Sequence, residues 1–277
     1  MPFTPAHAVV ALPFVRTPLL PAAIAVGAMA PDLPLFVRGG PLSYQTTHTN
    51  VAVSTAVAAV LLACWYVLLR PAVRELSPTW LARRLPGEWD ATGAAVWRSI
   101  RAPHRGARTA VWGAPLVRVV TIVVSLVLGV LSHIVWDAFT HEGRWGTGLV
   151  PALAEPWGPL PGIKWLQYGS SLIGLGILAV CAIVWLRGRP AGPLARVMLS
   201  WVRGLWWVSL PVALAIAWGI GLLLSGPITP TWTVQHLAYR VLPPACGAWG
   251  LLTLVLCLII VVRRRRAGSP TMNPSVL

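Results

Sequence analysis

Five stretches of this sequence run without a charged side chain for about the length that crosses a bilayer, and they limit the fold more than any other feature. They cover residues 51 to 69, 119 to 136, 165 to 186, 204 to 226 and 241 to 262. A spanning helix needs about 20 predominantly apolar residues, and inside hydrocarbon the backbone must satisfy its own polar groups, which restricts spans to helices or closed barrels. With 56% hydrophobic and 10% charged residues and a mean hydropathy of +0.71, the composition excludes an ordinary soluble surface. The expected fold is all-α: a polytopic helical membrane protein with five clear transmembrane helices. We read residues 1 to 266 as a single membrane-embedded domain and residues 267 to 277 as a disordered tail.

The formal net charge of +15 would suggest nucleic acid in a soluble chain, but the arginines follow loops rather than any reading motif. They cluster at Arg70, Arg74, Arg83, Arg84, Arg98, Arg101, Arg105, Arg108 and Arg118, at Arg187, Arg189, Arg196 and Arg203, and in the tail Arg263 to Arg266. Alternating spans put these three regions on one side, which the positive-inside rule makes cytoplasmic. The protein is thus expected in the cell (inner) membrane with its C-terminus inside, and residues 31–49, 140–164 and 227–240 facing out. The 70–116 loop, with Trp80, Trp89, Trp97 and Trp112, reads as interfacial helices whose basic residues meet anionic lipid headgroups. His104 reads as a solvated residue of that loop. Partners are therefore the lipid bilayer and its anionic headgroups, with no nucleic acid. Cys64, Cys181, Cys246 and Cys257 all fall in predicted spans without a Cys-x-x-Cys pair, so neither disulfides nor a zinc knuckle is expected. The first basic residue is Arg16, so no charged region marks a cleaved signal peptide.

The first 36 residues are apolar but carry Pro2, Pro5, Pro13, Pro18, Pro21, Pro31 and Pro34, and proline interrupts helices. Two short helical pieces are predicted, about 5 to 13 and about 19 to 30. Either residues 17 to 36 form a sixth span that leaves His7 on the cytoplasmic side, or residues 1 to 30 form a re-entrant hairpin on the outer side, which is allowed when packed against protein. The two readings differ in where His7 sits. Residues 1–49 form the segment that could bring ligands to the rest.

The chemistry concentrates in GVLSHIVWDAFTHEG, residues 129 to 143, where His133, Asp137 and His141 recur every four residues and so share one helix face. An ionisable residue at the edge of a span needs a partner, a cavity or a metal. In the predicted topology Asp32 and His48 lie on the same side, and His7 joins them if the hairpin reading holds. Imidazole and carboxylate are ligands for zinc and related divalent ions. The alternatives are ordinary ones: a hydrogen-bonded His133–Asp137 pair, an interfacial polar role for His141 or His236, and a helix-ending turn at Asp32. Asp32 and Glu142 are the candidate general bases. We therefore expect a metal-dependent hydrolase with one or two divalent ions, zinc by ligand type, or a non-catalytic membrane scaffold or transporter with a structural His–Asp pair.

MPFTPAHA at the start, GAMAPDLPLF, TTHT at 46–49 and SHIVWDAFTHEG at 132–143 resemble an uncharacterised bacterial domain-of-unknown-function membrane family. That family is similar to the YdjM-like inner-membrane proteins, grouped with metal-dependent hydrolases. An N-terminal His, a Pro-Asp, a Thr-His and a His-x-x-x-Asp-x-x-Thr-x-x-Gly recur there in this order, matched by His7, Pro31 with Asp32, Thr47 with His48, and His133, Asp137, Thr140 and Gly143. An Arg-Gly ahead of the Thr-His is missing here. The order also resembles the zinc-ligand order of bacterial phospholipase C and the P1-type nucleases. This more distant resemblance implies His7, Asp32, His48, His133 and Asp137 as ligands, with Asp137 bridging two ions. No N-terminal Trp and no following His-x-x-x-Glu pair is present, so it implies one or two ions rather than three.

Overall fold

The computed structural model describes residues 3–93, 95 and 115–267. The predicted disordered tail beyond Ala267, and residues 94 and 96–114 of the arginine-rich loop, including Trp97, His104 and Trp112, lie outside the described residues. Five helices are long and apolar enough to cross a membrane: Val51–Leu76, Leu116–Thr140, Gly162–Arg187, Ser200–Ser225 and Val234–Arg266. Strand is confined, among the described residues, to one short pair, so the chain is helical, as its apolar runs require. Each helix outlasts its apolar run. Val51–Leu76 continues past Leu69 into the predicted loop, and a π-helical turn at Trp65–Leu69 precedes Pro71, a residue with no N–H to give the ladder. Val234–Arg266 starts within the predicted outer loop because Thr233 and His236 form a capping box there.

The chain divides into two compact units. One comprises residues 3–34, 39–63 and 115–187 among those described; the other comprises residues 35–38, 64–93, 95 and 188–267.

The first unit opens with a 3-10 helix, Thr4–Phe14, which has proline at its start and Pro13 inside. It is followed by α1 (Pro21–Met29) and the turn Ala30–Asp32. The proline-rich segment thus forms two short pieces, neither long enough to span. Next come α2 (Tyr44–Thr49), α3 (Val51–Cys64, whose last residue falls to the second unit) and α4 (Pro115–Thr140). The short helix α5 (Trp145–Leu149) and the antiparallel pair β1 (Pro156–Trp157) and β2 (Leu160–Pro161) lead into α6 (Gly162–Arg187). The Gly-, Pro- and Trp-rich segment 145–165 is therefore structured: Gly158 turns the β pair with φ +76°, and the Trp157 indole donates to the carbonyl of Ala152 at 2.9 Å.

The core of this unit is the contact of α1 with α4. A Cβ on Gly27 would stand 2.4 Å from the Leu126 carbonyl oxygen, and one on Gly129 would stand 2.2 Å from that of Ile24. Small residues at such a crossing let two backbones touch. Ala23, Ile24 and Ala28 on α1 meet Leu126 and Val130 on α4, all five buried. The buried stripe of α4 continues with the same spacing to His133, Asp137 and Thr140, so one helix face changes from hydrophobic packing to chemistry within two turns.

The second unit contains α7 (Arg70–Leu76), α8 (Ser200–Ser225) and α9 (Val234–Arg266). Its core joins Ala72 and Leu76 to Cys257 and Ile260, with Trp206 and Met198 against them. Beside this core lies a buried charged cluster. Glu75, fully buried, accepts from the Val197 and Met198 N–H groups at 3.0 and 3.2 Å and from Arg264 at 3.2 Å. Arg74, predicted to meet lipid headgroups, is instead buried and donates to the Ala82 and Pro193 carbonyls and to Asp90.

Candidate metal centre

The centre is built in the first unit. α4 supplies His133 and Asp137 one turn apart. The close α1–α4 crossing sets the Ala28 carbonyl 2.7 Å from His133 Nδ1, and on α2 the carbonyl of Tyr44 stands 2.8 Å from His48 Nδ1. A carbonyl can only accept, so both rings carry their proton on Nδ1, a tautomer assigned from these bonds. In the neutral rings both Nε2 atoms are then lone pairs, and they face each other at 3.2 Å. Thr47 Oγ1 donates to the Pro31 carbonyl at 2.7 Å, which ties α2 to the turn carrying Asp32. Thr4 Oγ1 donates to Asp32 Oδ2 at 2.6 Å.

The remaining carboxylate oxygens close on the same point. Asp32 Oδ1 lies 3.8 Å from His48 Nε2 and 3.7 Å from His133 Nε2; Asp137 Oδ2 lies 3.5 and 3.4 Å from the same two atoms. Ligand atoms of Asp32, His48, His133 and Asp137 all fall within 4.8 Å of one another, and all four residues are buried. A tetrahedral zinc site with bonds of about 2.0–2.1 Å has ligand-to-ligand edges of roughly 3.3 Å. The donor set fits such an ion, with one edge wider than the rest.

The other predicted ligands flank this group. His7 Nε2 is 3.8 Å from Asp137 Oδ1, and its ring centroid is 4.2 Å from that of His133. Burial first, then the neighbouring His133, pushes the His7 pKa down to about 3, which keeps its imidazole neutral. His141 Nδ1 donates to the Asp137 carbonyl at 3.1 Å and lies 3.5 Å from Asp137 Oδ2; burial lowers its pKa. His7 Nε2, Asp32 Oδ1, Asp137 Oδ1 and His141 Nε2 are all buried without a hydrogen-bond partner. Buried polar atoms are normally paired, so four orphans in and beside this group leave polar capacity that a cation could take up. Glu142, the other candidate base, is exposed and outside this cluster. His236 belongs to the helix cap of α9.

Several contributors are invisible as motifs. The Tyr44 ring stacks 3.8 Å from that of His48, and its hydroxyl reaches to 3.4 Å from Asp137 Oδ2. Burial, then the Asp137 and Asp32 carboxylates, raise the Tyr44 pKa, so it remains a donor. Gln167, buried on α6, donates to the Thr140 carbonyl at 2.5 Å and fixes the end of α4. A pocket of about 300 Å³ leads to His48 and Asp137 past Thr49, Arg144 and Trp145. It exists because Gly146 lets α5 lie on the end of α4, where a Cβ would meet the Ala138 carbonyl at 2.6 Å.

Fold and site together define a helical protein with five helices long and apolar enough to cross a membrane and a buried His/Asp cluster that could hold a divalent ion. The chain belongs to the family described as domain of unknown function DUF4184, whose model matches residues 1–220. Neither the comparison with curated proteins nor that with solved structures gave a match.

Proposed function

We propose that this chain is a membrane-embedded, metal-dependent hydrolase whose ion is held by Asp32, His48, His133 and Asp137. One observation carries the reading: two imidazole lone pairs 3.2 Å apart, each with its proton already committed elsewhere, and two carboxylates turned toward them. Such a group repels itself unless a cation sits within it. Carboxylate and imidazole donors suit zinc. A divalent ion bound there would lower the pKa of a coordinated water toward about 7 and polarise the bond under attack.

The chain's own residues supply the rest. The Ala28 and Tyr44 carbonyls accept from Nδ1 and orient the two imidazoles, as hydrogen-bond partners of metal-ligating histidines usually do. Asp137 turns Oδ2 to the two histidines and Oδ1 to His7, the arrangement in which a second ion would share its carboxylate. Arg144 at the pocket mouth offers a cation to an anionic group, which favours a phosphoester or lipid-linked substrate. Asp32 is counted as a ligand and remains a base candidate only through its unligated oxygen; the exposed position of Glu142 gives it no such part. The arginine distribution supports a site on the extracytoplasmic side of the cell membrane, with the C-terminus and the anionic-lipid contacts on the cytoplasmic side. Bringing His7 to this cluster favours the re-entrant hairpin over a sixth span.

The test is elemental analysis of detergent-purified protein beside Asp137→Asn and His133→Ala, with hydrolysis of a phosphoester panel read in parallel. Near-stoichiometric zinc or a related metal in the wild type, and its loss in both variants, is expected. Equal metal in all three proteins, or none in any, would return the cluster to a structural His–Asp pair in a scaffold or transporter.

A further inference from the structure

The metal cluster has a second opening, on the His7 side. A cleft of about 480 Å³ runs between the Thr4–Phe14 helix, α4 and α6, walled by Val9, Val10, Trp136, Ile173 and Ile177. That volume lies within the ~300–1,000 Å³ of small-molecule sites. The polar side chains on its wall are engaged inside the protein: Ser132 donates to the Gly129 carbonyl at 2.7 Å, the Trp136 indole to Ser170 Oγ at 3.3 Å, and Ser170 to the Gln167 carbonyl at 3.4 Å. His7 differs. Its side chain is 6% exposed, its Nε2 is without a hydrogen-bond partner, and it stands at the head of the cleft, 3.8 Å from the equally unpartnered Asp137 Oδ1.

Two of the cleft's three walls, α4 and α6, are helices apolar enough to lie in hydrocarbon. A trough along such helices takes up an acyl chain more readily than water, because water there finds no free polar partner along the walls. At its head, orphaned atoms of the cation-holding cluster meet whatever polar group the chain carries. We propose that this cleft seats the hydrocarbon chain of a phospholipid and presents its headgroup to the His7–Asp137 edge of the centre. This rests on the metal-hydrolase reading above, and it names the substrate class: a bilayer phospholipid reached laterally, with the Arg144 pocket as the water-side entrance.

The experiment uses the full chain in phosphatidylcholine nanodiscs doped with a phosphatidylcholine that carries a diazirine on its acyl chain. After irradiation, labelled residues are mapped by mass spectrometry, and metal is measured on the same samples. Label should concentrate at Trp136, Ile173 and Ile177 over Val180 and Val184, exposed residues further along α6. Ile173→Trp and Ile177→Trp, neither of which touches the cluster, fill the cleft. Each should lower labelling of Trp136 on the order of tenfold, the effect of two buried methylenes, with metal content unchanged. Uniform label along α6, or unchanged Trp136 labelling in both variants, overturns the proposal. Focused labelling without metal would overturn the hydrolase reading and leave the lipid seat, whereas metal without focused labelling would remove the lipid seat alone.

Discussion

Each unit buries a cluster of charged and polar side chains, and the two clusters are built on opposite principles. In the second unit Glu75 is met by two backbone N–H groups and by Arg264 and Arg203, and Asp90 by Arg74 and Arg264. Only Asp90 Oδ1, which faces Arg264 at 3.2 Å, and Arg264 Nε lack a hydrogen bond there. Each carboxylate is answered by a guanidinium within the protein, as a buried ion pair requires. In the first unit two carboxylates are faced, among the described residues, by imidazoles and by the hydroxyls of Thr4 and Tyr44. Among the described residues no guanidinium or ammonium pairs with them, and four buried atoms there lack a hydrogen-bond partner. A cluster that answers its own charge holds helices together; one of two carboxylates faced by imidazoles could hold a cation.

The sharpest way to break this contrast is to remove Glu75. Glu75→Ala leaves Arg203 without its carboxylate and Arg264 with Asp90 alone, and stripping one partner from a buried pair costs about 3–5 kcal/mol. Thermal unfolding in detergent should show a large drop, while metal content per folded molecule stays at the wild-type level. The open cluster should behave in the reverse sense. Chelation should lower wild-type stability by about 4 kcal/mol if the ion was present at a thousandfold its dissociation constant, and Asp137→Asn should be indifferent to chelator. An Asp137→Asn protein that still responds to chelator, or a Glu75→Ala protein as stable as the wild type, would erase the distinction.

How far each cluster was legible in sequence follows from the same difference. The His133–Asp137–His141 spacing is a local signal on one helix, and the apolar runs marked five spans. Convergence of His7, Asp32 and His48 on that helix face depends on tertiary contacts, and in the sequence it rested on topology and on family resemblance. Helix ends were missed where an apolar run stopped before its helix did, at Leu69 and before Val241. Glu75 stood unnoticed because REL in a basic segment reads as surface; its partners Val197, Met198 and Arg264 are more than a hundred residues away. Tyr44, Arg144 and Gln167 belong to no motif, since each acts through a contact that exists only once α2, α5 and α6 are placed.

Gly129 sharpens the comparison from the packing side. Neither Gly27 nor Gly129 is a ligand, yet their contact puts the Ala28 carbonyl on His133. Gly129→Ala adds a methyl 2.2 Å from the Ile24 carbonyl oxygen, and overpacking of this kind costs about 1–3 kcal/mol. Because the displaced backbone carries the His133 orienting bond, metal affinity should fall with stability, by about the 10–100-fold typical of losing a hydrogen bond that orients a ligand. Titration of the apo protein with zinc reads this directly. Lost stability with unchanged affinity would show that the crossing positions nothing in the centre.

The smallest effect expected is that of Tyr44→Phe. The ring keeps its stacking on His48, and the backbone carbonyl that orients His48 is untouched, so the substitution removes only the hydroxyl. At 3.4 Å from Asp137 Oδ2 that hydroxyl makes a weak bond, and a single hydrogen bond contributes about 0.5–1.5 kcal/mol net. If the carboxylate is held chiefly by a cation, zinc affinity should change less than about tenfold and the protein should stay folded and metal-loaded. If instead the cluster is an internal hydrogen-bonded network, Tyr44 is one of its few unambiguous donors to Asp137, and its loss should destabilise the apo and metal-treated proteins alike. Unfolding of Tyr44→Phe with and without zinc therefore separates an open cluster from a closed one by the size of a single small term.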